Sequence, residues 1–321
     1  MKQTTKAWLW TAVSLILVGL TVFSGVMTML HWDFSKLSTV NYETNRHEIR
    51  EEFDNISVIT DTADIRLALS EDGICRVDCY EDEKAIHTVT VRDGTLVIDV
   101  INSKRWYEYI GIDLGGSPTI TVYLPNAEYA SLLIRGATGN VEVPEKFTFG
   151  DVDVSTRTGD IDCYASVNGT MILQGRTGDI DIANLSVVSL SLSVSTGKVT
   201  AAEIRCEGDL TVGITTGKIN LSGISCQSLT ATGRTGGIAL TDVIAAERFS
   251  IGTGTGDITL TGCDAAELSL ETGTGDITGC LLSDKIFITE VSTGSVDVPK
   301  TTTGGLCRIT IRTGDVRLSI Q

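Results

Sequence analysis

Phe249–Leu260 reads FSIGTGTGDITL, and nineteen residues on, Leu268–Gly279 reads LSLETGTGDITG. The pair Thr-Gly recurs along the chain, with glycines at Gly139, Gly159, Gly178, Gly197, Gly217, Gly236, Gly256, Gly275, Gly294 and Gly314. Successive copies are 19 or 20 residues apart, and self-similarity at a fixed period of this length marks a repeat architecture. Two places after the glycine every copy carries Ile or Val, from Val141 and Ile161 to Val296 and Val316. These β-branched residues favour strands. Apolar residues also stand five and seven places before it, as at Leu173 and Met171 or Ile251 and Phe249. Period-two alternation over short runs means half-buried strands.

One more apolar position falls later in each unit, at Leu185, Ile204, Ile224, Val243, Cys263 and Leu282. Each unit therefore reads as strand, Thr-Gly corner, strand and short return. Three inward-facing segments per unit fit a parallel β-solenoid whose turns stack about 4.8 Å apart, so that ten turns make a rod of roughly 45–50 Å. Glycine suits the corner because a positive φ costs it nothing, whereas a Cβ there would clash. Two other architectures accommodate the same strands: antiparallel hairpins in a meander or barrel, and four-stranded propeller blades built from pairs of units. The near-identity of successive units favours the coil. The ninth copy slips by one residue around Ile286 and Ile288, as a bulge or insertion would.

The repeats occupy residues 131–321. Ahead of them, residues 53–130 are rich in strands but lack the Thr-Gly period, apart from a degenerate copy in which Ala63 precedes Gly139 by four periods of 19. An atypical terminal element is needed to cover a solenoid's first turn, and this region is read as that cap. Its aromatic cluster Trp106-Tyr107-Glu108-Tyr109 is expected to pack on the first turn, or else to present a binding surface. Residues 33–52 read as a polar stalk. Residues 1–32 hold a cytoplasmic tip and an anchor: Ala7 to Leu30 carry no charge and would form roughly 36 Å of helix, enough to cross a bilayer. Lys2 and Lys6 before it predict a cytoplasmic N-terminus with the bulk of the chain outside. A cleaved signal peptide usually has a shorter apolar stretch ending in small residues, unlike Met27-Thr28-Met29-Leu30.

With 25 Lys+Arg against 41 Asp+Glu, the net charge is -16, which argues against nucleic acid. Apolar residues make up 42% and aromatics 6%, so the core is expected to be aliphatic. Only three histidines are present, His31, His47 and His87, too few for chemistry that relies on several imidazoles.

Phe53…Asp64-Ile65, Gly94-Thr95-Leu96-Val97-Ile98, Tyr123-Leu124-Pro125 and the iterated Thr-Gly-Asp-Ile together resemble a bacterial cell-envelope family of unknown function labelled "putative adhesin". The similarity covers about residues 53 to 321. It implies a β-strand coil displayed at a bacterial envelope, with no catalytic residues to transfer. Some members are thought to serve envelope-stress or regulatory systems.

Asp160, Asp179, Asp257, Asp276 and Asp315 follow their corner glycines, and Arg157, Arg176, Arg234 and Arg312 stand two places before theirs. Local Arg–Asp pairing on the surface accounts for these charges. A calcium row would need a nine-residue period and would not accept Lys198 and Lys218 in the same column. No metal ligands, catalytic groups or cofactor are assigned. Returns of constant length leave no loops to build a cleft for a carbohydrate-active β-helix enzyme. Of the eight cysteines, Cys206 and Cys226 share a phase on adjacent turns and are the candidate disulfide. Arg308, Arg312 and Arg317 are expected to guard the open edge of a last turn formed by the tenth copy. The expected function is that of a membrane-anchored, non-catalytic envelope scaffold or adhesin-like binding module, contacting an envelope polymer or protein through its solenoid face or C-terminal edge. The alternative is a membrane-tethered sensor or accessory protein.

Overall fold

The computed structural model describes residues 3–37, 40–106 and 116–321. Its helix α1, Gln3–Met29, is exposed on nearly all its surface and is long and apolar enough to cross a membrane, with mean hydropathy 2.1 over Trp8–Met29. Signal sequences share that property.

The repeats form a parallel β-solenoid. Turn by turn the ladders are in register: Gly197 stands over Gly217, Val199 over Ile219, Ala201 over Leu221 and Ile204 over Ile224. Each turn has three sides. In the turn of Gly197 the inward residues are Leu190, Leu192 and Val194 on the first side, Val199 and Ala201 on the second, and Ile204 and Cys206 on the third. One aliphatic core runs continuously from Ile56 to Leu318.

Two columns of left-handed backbone make the first two corners. The glycines adopt φ between 132 and 151, and a Cβ on any of them would strike the carbonyl of the corner beneath, as close as 1.5 Å at Gly236 against Gly217. Six places further on, Asn184, Glu203, Gly223, Asp242 and Gly262 all sit at φ 52 to 63. Asn, Asp and Gly tolerate this conformation best. This second corner escapes the sequence pattern because its residue types vary.

Nine β-strands build the N-terminal end: β1 Tyr42–Ile49, β2 Asn55–Thr62, β3 Asp64–Leu69, β4 Cys75–Asp82, β5 Ala85–Arg92, β6 Thr95–Asn102, β7 Thr119–Leu124, β8 Glu128–Thr138 and β9 Val141–Val143. The degenerate copy is a genuine turn. β2 pairs in parallel with β8, Asn55 beside Ser131 and Thr62 beside Thr138, and β3 pairs with β9. Four periods of 19 separate the partners because β4–β7 are inserted between them. β6 and β7 add an outer turn in parallel with β2 and β3. β5 and β4 then close it antiparallel, and β1 pairs antiparallel with β4. The coil thus begins inside the region read as a cap, and reversed strands end it. Nor is the stretch read as a stalk wholly a tether: Tyr42–Ile49 pairs with β4 along its whole length, and on the exposed face Arg46 makes a bidentate ion pair with Asp78 at 2.9 and 3.0 Å. Trp106 is exposed; Tyr107 to Tyr109 of the aromatic cluster lie outside the described residues.

The C-terminal end also departs from chain order. The strand Gly305–Thr313 lies between Ile258–Thr274 and Lys285–Thr293, so the turn of Gly314 is inserted between those of Gly275 and Gly294. Gly275 donates to Thr313, and Gly314 donates to Thr293. The slipped ninth copy is therefore the terminal turn, and its Val296 is the member of the Ile/Val column left exposed. Arg308, Arg312 and Arg317 do not guard the end as expected, because their strands are paired on both sides. The open edge is Lys285–Thr293, with Ile286 and Ile288 exposed on it.

Arg157, Arg176, Arg234 and Arg312 form no ion pairs among the described residues, contrary to the expected Arg–Asp pairing. The aspartates instead bond along the axis. Asp160 Oδ1 accepts from the Asp179 N–H at 2.7 Å and Asp179 from Lys198 at 2.7 Å. Asp257 accepts from Asp276, Asp276 from Asp315, and Asp315 from Ser295, at 2.8–2.9 Å. The corner turns these N–H groups away from the strand ladders, and a short carboxylate one turn away satisfies them. Hydrogen bonds from Ser295 hold the Asp315 carboxyl below its usual range.

Cys206 and Cys226 do face the core on adjacent turns, but all eight thiols are free. The Cys206 Sγ lies 3.5 Å from the Val188, Gly208 and Asp209 carbonyls, and Cys226 points to Ile244. Burial pushes Cys163, Cys226 and Cys307 up to about 12, and Cys280 alone is not buried. A brief alkylation pulse on the native protein should therefore modify Cys280 only, and all eight thiols in denaturant. Native labelling at Cys206 and Cys226 at the rate of Cys280, read by peptide mass mapping, would contradict their burial in the core.

Candidate binding groove and buried polar cluster in the cap

Three connections of the cap converge on one corner: the β1–β2 link, the bend at Gly73 with φ 72, and the Pro125–Ala127 link. They enclose a cavity of about 570 Å³. Its floor is apolar, formed by Ile49, Phe53, Cys75 and Tyr129, and its rim carries Glu48, Glu51, Glu52, Asp54 and Glu128 against a single cation, Arg50. Arg50 is itself paired with Glu48 at 3.1 Å. Phe53 stacks on Tyr129 with ring centroids 6.0 Å apart, and Tyr129 packs in turn on Phe149. The Tyr129 hydroxyl donates to the Pro125 carbonyl at 2.9 Å. The floor is thus continuous with the core and rigid. An apolar floor ringed by carboxylates can take a segment that is basic at its edges and apolar at its centre, and it disfavours anions.

The acidic character continues along the rod. Glu142, Asp160, Asp162, Asp179 and Asp181 neighbour one another, and partial burial together with the other four carboxylates lifts Asp162 above its usual range.

A second cluster lies inside the cap. Alternation along β4 turns Cys75, Val77, Cys79 and Glu81 inward. The short β4–β5 hairpin brings His87 against Glu81, and β2 supplies Thr60. The Glu81 Oε2 accepts from the backbone N–H of His87 at 2.7 Å and lies 2.6 Å from its Nδ1. Asn45 Nδ2 donates to the other carboxylate oxygen at 2.8 Å. The His87 Nε2 is 2.9 Å from the Thr60 hydroxyl. Cys79, Glu81, His87 and Thr60 are all buried. A ring whose Nδ1–H donates to the carboxylate can accept from the Thr60 hydroxyl through a bare Nε2.

A hydroxyl, an imidazole and a carboxylate in a line could serve acyl transfer. However, Thr60 occupies the column of Thr156, Thr253 and Thr272, buried threonines three places before their corners. The hydroxyls of Thr253 and Thr272 donate to corner carbonyls at 3.0 and 2.9 Å. Thr60 lies at a corner without glycine and takes His87 as its partner instead.

Sequence reasoning missed both features. Cys79-x-Glu81 on one strand face was a usable signal, but the approach of His87 depends on a hairpin that the repeat pattern does not encode. The ten glycines, by contrast, share one column of positive φ against the backbone of a neighbouring turn.

Stacked parallel turns, an aliphatic interior and a reversed-strand cap define a β-solenoid protein. The chain belongs to the Toastrack DUF4097 family, whose model matches residues 53–241 and 208–321. Two solved structures share the fold. One, described as a "putative adhesin" from Parabacteroides distasonis ATCC 8503, is 13% identical with a TM-score of 0.51, covering 75% of this chain and 98% of that one. The other, a "putative adhesin" from Parabacteroides merdae ATCC 43184, is 13% identical with a TM-score of 0.51, covering 75% and 97%. No curated protein matches the chain.

Proposed function

We propose that this protein is a single-pass, extracytoplasmic β-solenoid that acts as a non-catalytic scaffold or binding module of the cell envelope, engaging a partner at the acidic-rimmed groove of its cap. The groove carries this reading. It encloses about 570 Å³ over an apolar floor, and among the described residues lining it no nucleophile is paired with a base. The adhesin descriptions of the fold relatives agree with a binding role.

The alternative, an accessory or sensor role toward a membrane partner, is favoured by one observation. Glu48 on the rim stands nineteen residues beyond Met29, the end of α1, so the groove is tethered close to the bilayer. Both readings put the rod outside the cell.

Thr211→Cys, at an exposed position, should react with a membrane-impermeant maleimide in intact cells, and the labelled protein should retain Met1 to Leu30 by intact mass in the membrane fraction. Labelling only after lysis would overturn the placement, and loss of the N-terminal helix would replace the anchor with a signal peptide.

A further inference from the structure

We propose that Cys79, Glu81 and His87 form a binding site for a single zinc-class divalent cation inside the cap. The three side chains each offer one donor atom, and these atoms all lie within 4.8 Å of one another. Thiolate sulfur, imidazole nitrogen and carboxylate oxygen form a donor set that suits Zn²⁺, which takes three protein ligands and leaves one position open. The charge also balances. A thiolate and a carboxylate contribute two negative charges and a neutral imidazole none, so the occupied site is neutral, as a fully buried site must nearly be. On binding, the Cys79 thiol releases its proton. The His87 ring changes tautomer without net loss, presenting Nδ1 to the cation and Nε2–H to Thr60.

The surroundings are those of a metal site. Thr60 lies 2.9 Å from His87 Nε2 and fixes the ring, and Asn45 holds the second oxygen of Glu81. Such outer contacts orient ligands and sustain affinity. His87, though neither Cys79 nor Glu81, lines a cavity of about 330 Å³ with Tyr42, Asp61 and Lys104 among its other walls, so an ion would reach the site past the imidazole.

The site goes beyond the binding role proposed above, since the groove would work with or without it. The purified full-length protein in detergent, stripped with chelator and dialysed against micromolar ZnCl₂, should retain one equivalent of zinc. With CoCl₂ in its place a thiolate-to-cobalt charge-transfer band should appear in the near ultraviolet. Cys79→Ser should abolish the band, Glu81→Gln, which removes a ligand and its charge, should lower zinc affinity more than about 100-fold, and Thr60→Val, which removes only an outer contact, should weaken it about 10- to 100-fold, with far-ultraviolet circular dichroism reporting that each variant stays folded. The cobalt spectrum of the unmodified protein needs no variant. Absence of retained zinc together with absence of the band would leave the cluster a hydrogen-bonded network and overturn the site. Zinc retained equally by folded Cys79→Ser would also overturn it, by placing the ion elsewhere.

Discussion

Gly236→Ala should destabilise the solenoid by about 4 kcal/mol. Two effects add at this position. The backbone stands at φ 134, a region that residues with a Cβ avoid. The new methyl would also lie 1.5 Å from the Gly217 carbonyl oxygen and 2.6 Å from its carbon. That obstacle is backbone held in the ladders of two turns, so it cannot rotate aside as a side chain would. The neighbouring turns would have to separate, exposing Ile219, Leu221, Ile238 and Leu240, all buried in the native rod. Gly213→Ala is the matched control. Gly213 lies on a strand with open space around its Cβ position and no positive φ, so alanine there should be neutral or stabilising by about 0.5 kcal/mol. Urea unfolding of the two variants side by side reads the difference. Equal midpoints would mean that the corner column is not a close backbone stack.

That column was the most legible feature of the chain because ten copies repeat both its chemistry and its spacing. A glycine demanded by backbone contact recurs wherever the contact recurs. Ile180, Val199 and Ile219 were legible for the same reason: each fills the same slot against a β-branched neighbour one turn away. The second corner was hidden because Asn184, Glu203, Gly223, Asp242 and Gly262 meet one backbone requirement with four residue types. The order of the end turns was hidden for a different reason. A period states which residues share a column, and it is equally satisfied whether Gly314 stacks on Gly294 or on Gly275. The slip near Ile286 was the sole trace of that inversion in the sequence, and it reads equally well as a bulge. The aspartates were misassigned because nearby arginines offered a partner in sequence, whereas the N–H groups they bond are one turn away in space. In the cap, neither the groove nor the Glu81–His87 contact follows from any period, since both arise where non-repeating links meet.

Glu81→Ala should cost about 3–5 kcal/mol and open the cap while leaving the middle of the rod closed. The carboxylate accepts three hydrogen bonds: from the His87 backbone N–H, from His87 Nδ1 and from Asn45. Alanine removes both acceptor oxygens, and with them all three bonds, at a position only 1% exposed, where water cannot replace them without prising β4 from β5. Glu81→Gln is the milder partner. Its amide oxygen can keep both bonds from His87, and Asn45 can turn its own oxygen toward the new NH₂, so the loss should be nearer 1 kcal/mol. Because turns of a solenoid contact only their neighbours, damage at one end need not propagate. Native-state hydrogen exchange should therefore show faster exchange in Ala85–Arg92 and Cys75–Asp82 of Glu81→Ala, with Ile219–Thr255 protected as in the parent. The protection lost in β5 would expose Leu96 and Ile98 on the adjacent strand, so the cap's role is to keep the first aliphatic turns dry. Unchanged exchange across Ala85–Arg92 would show that the hairpin is held by its strand pairing alone.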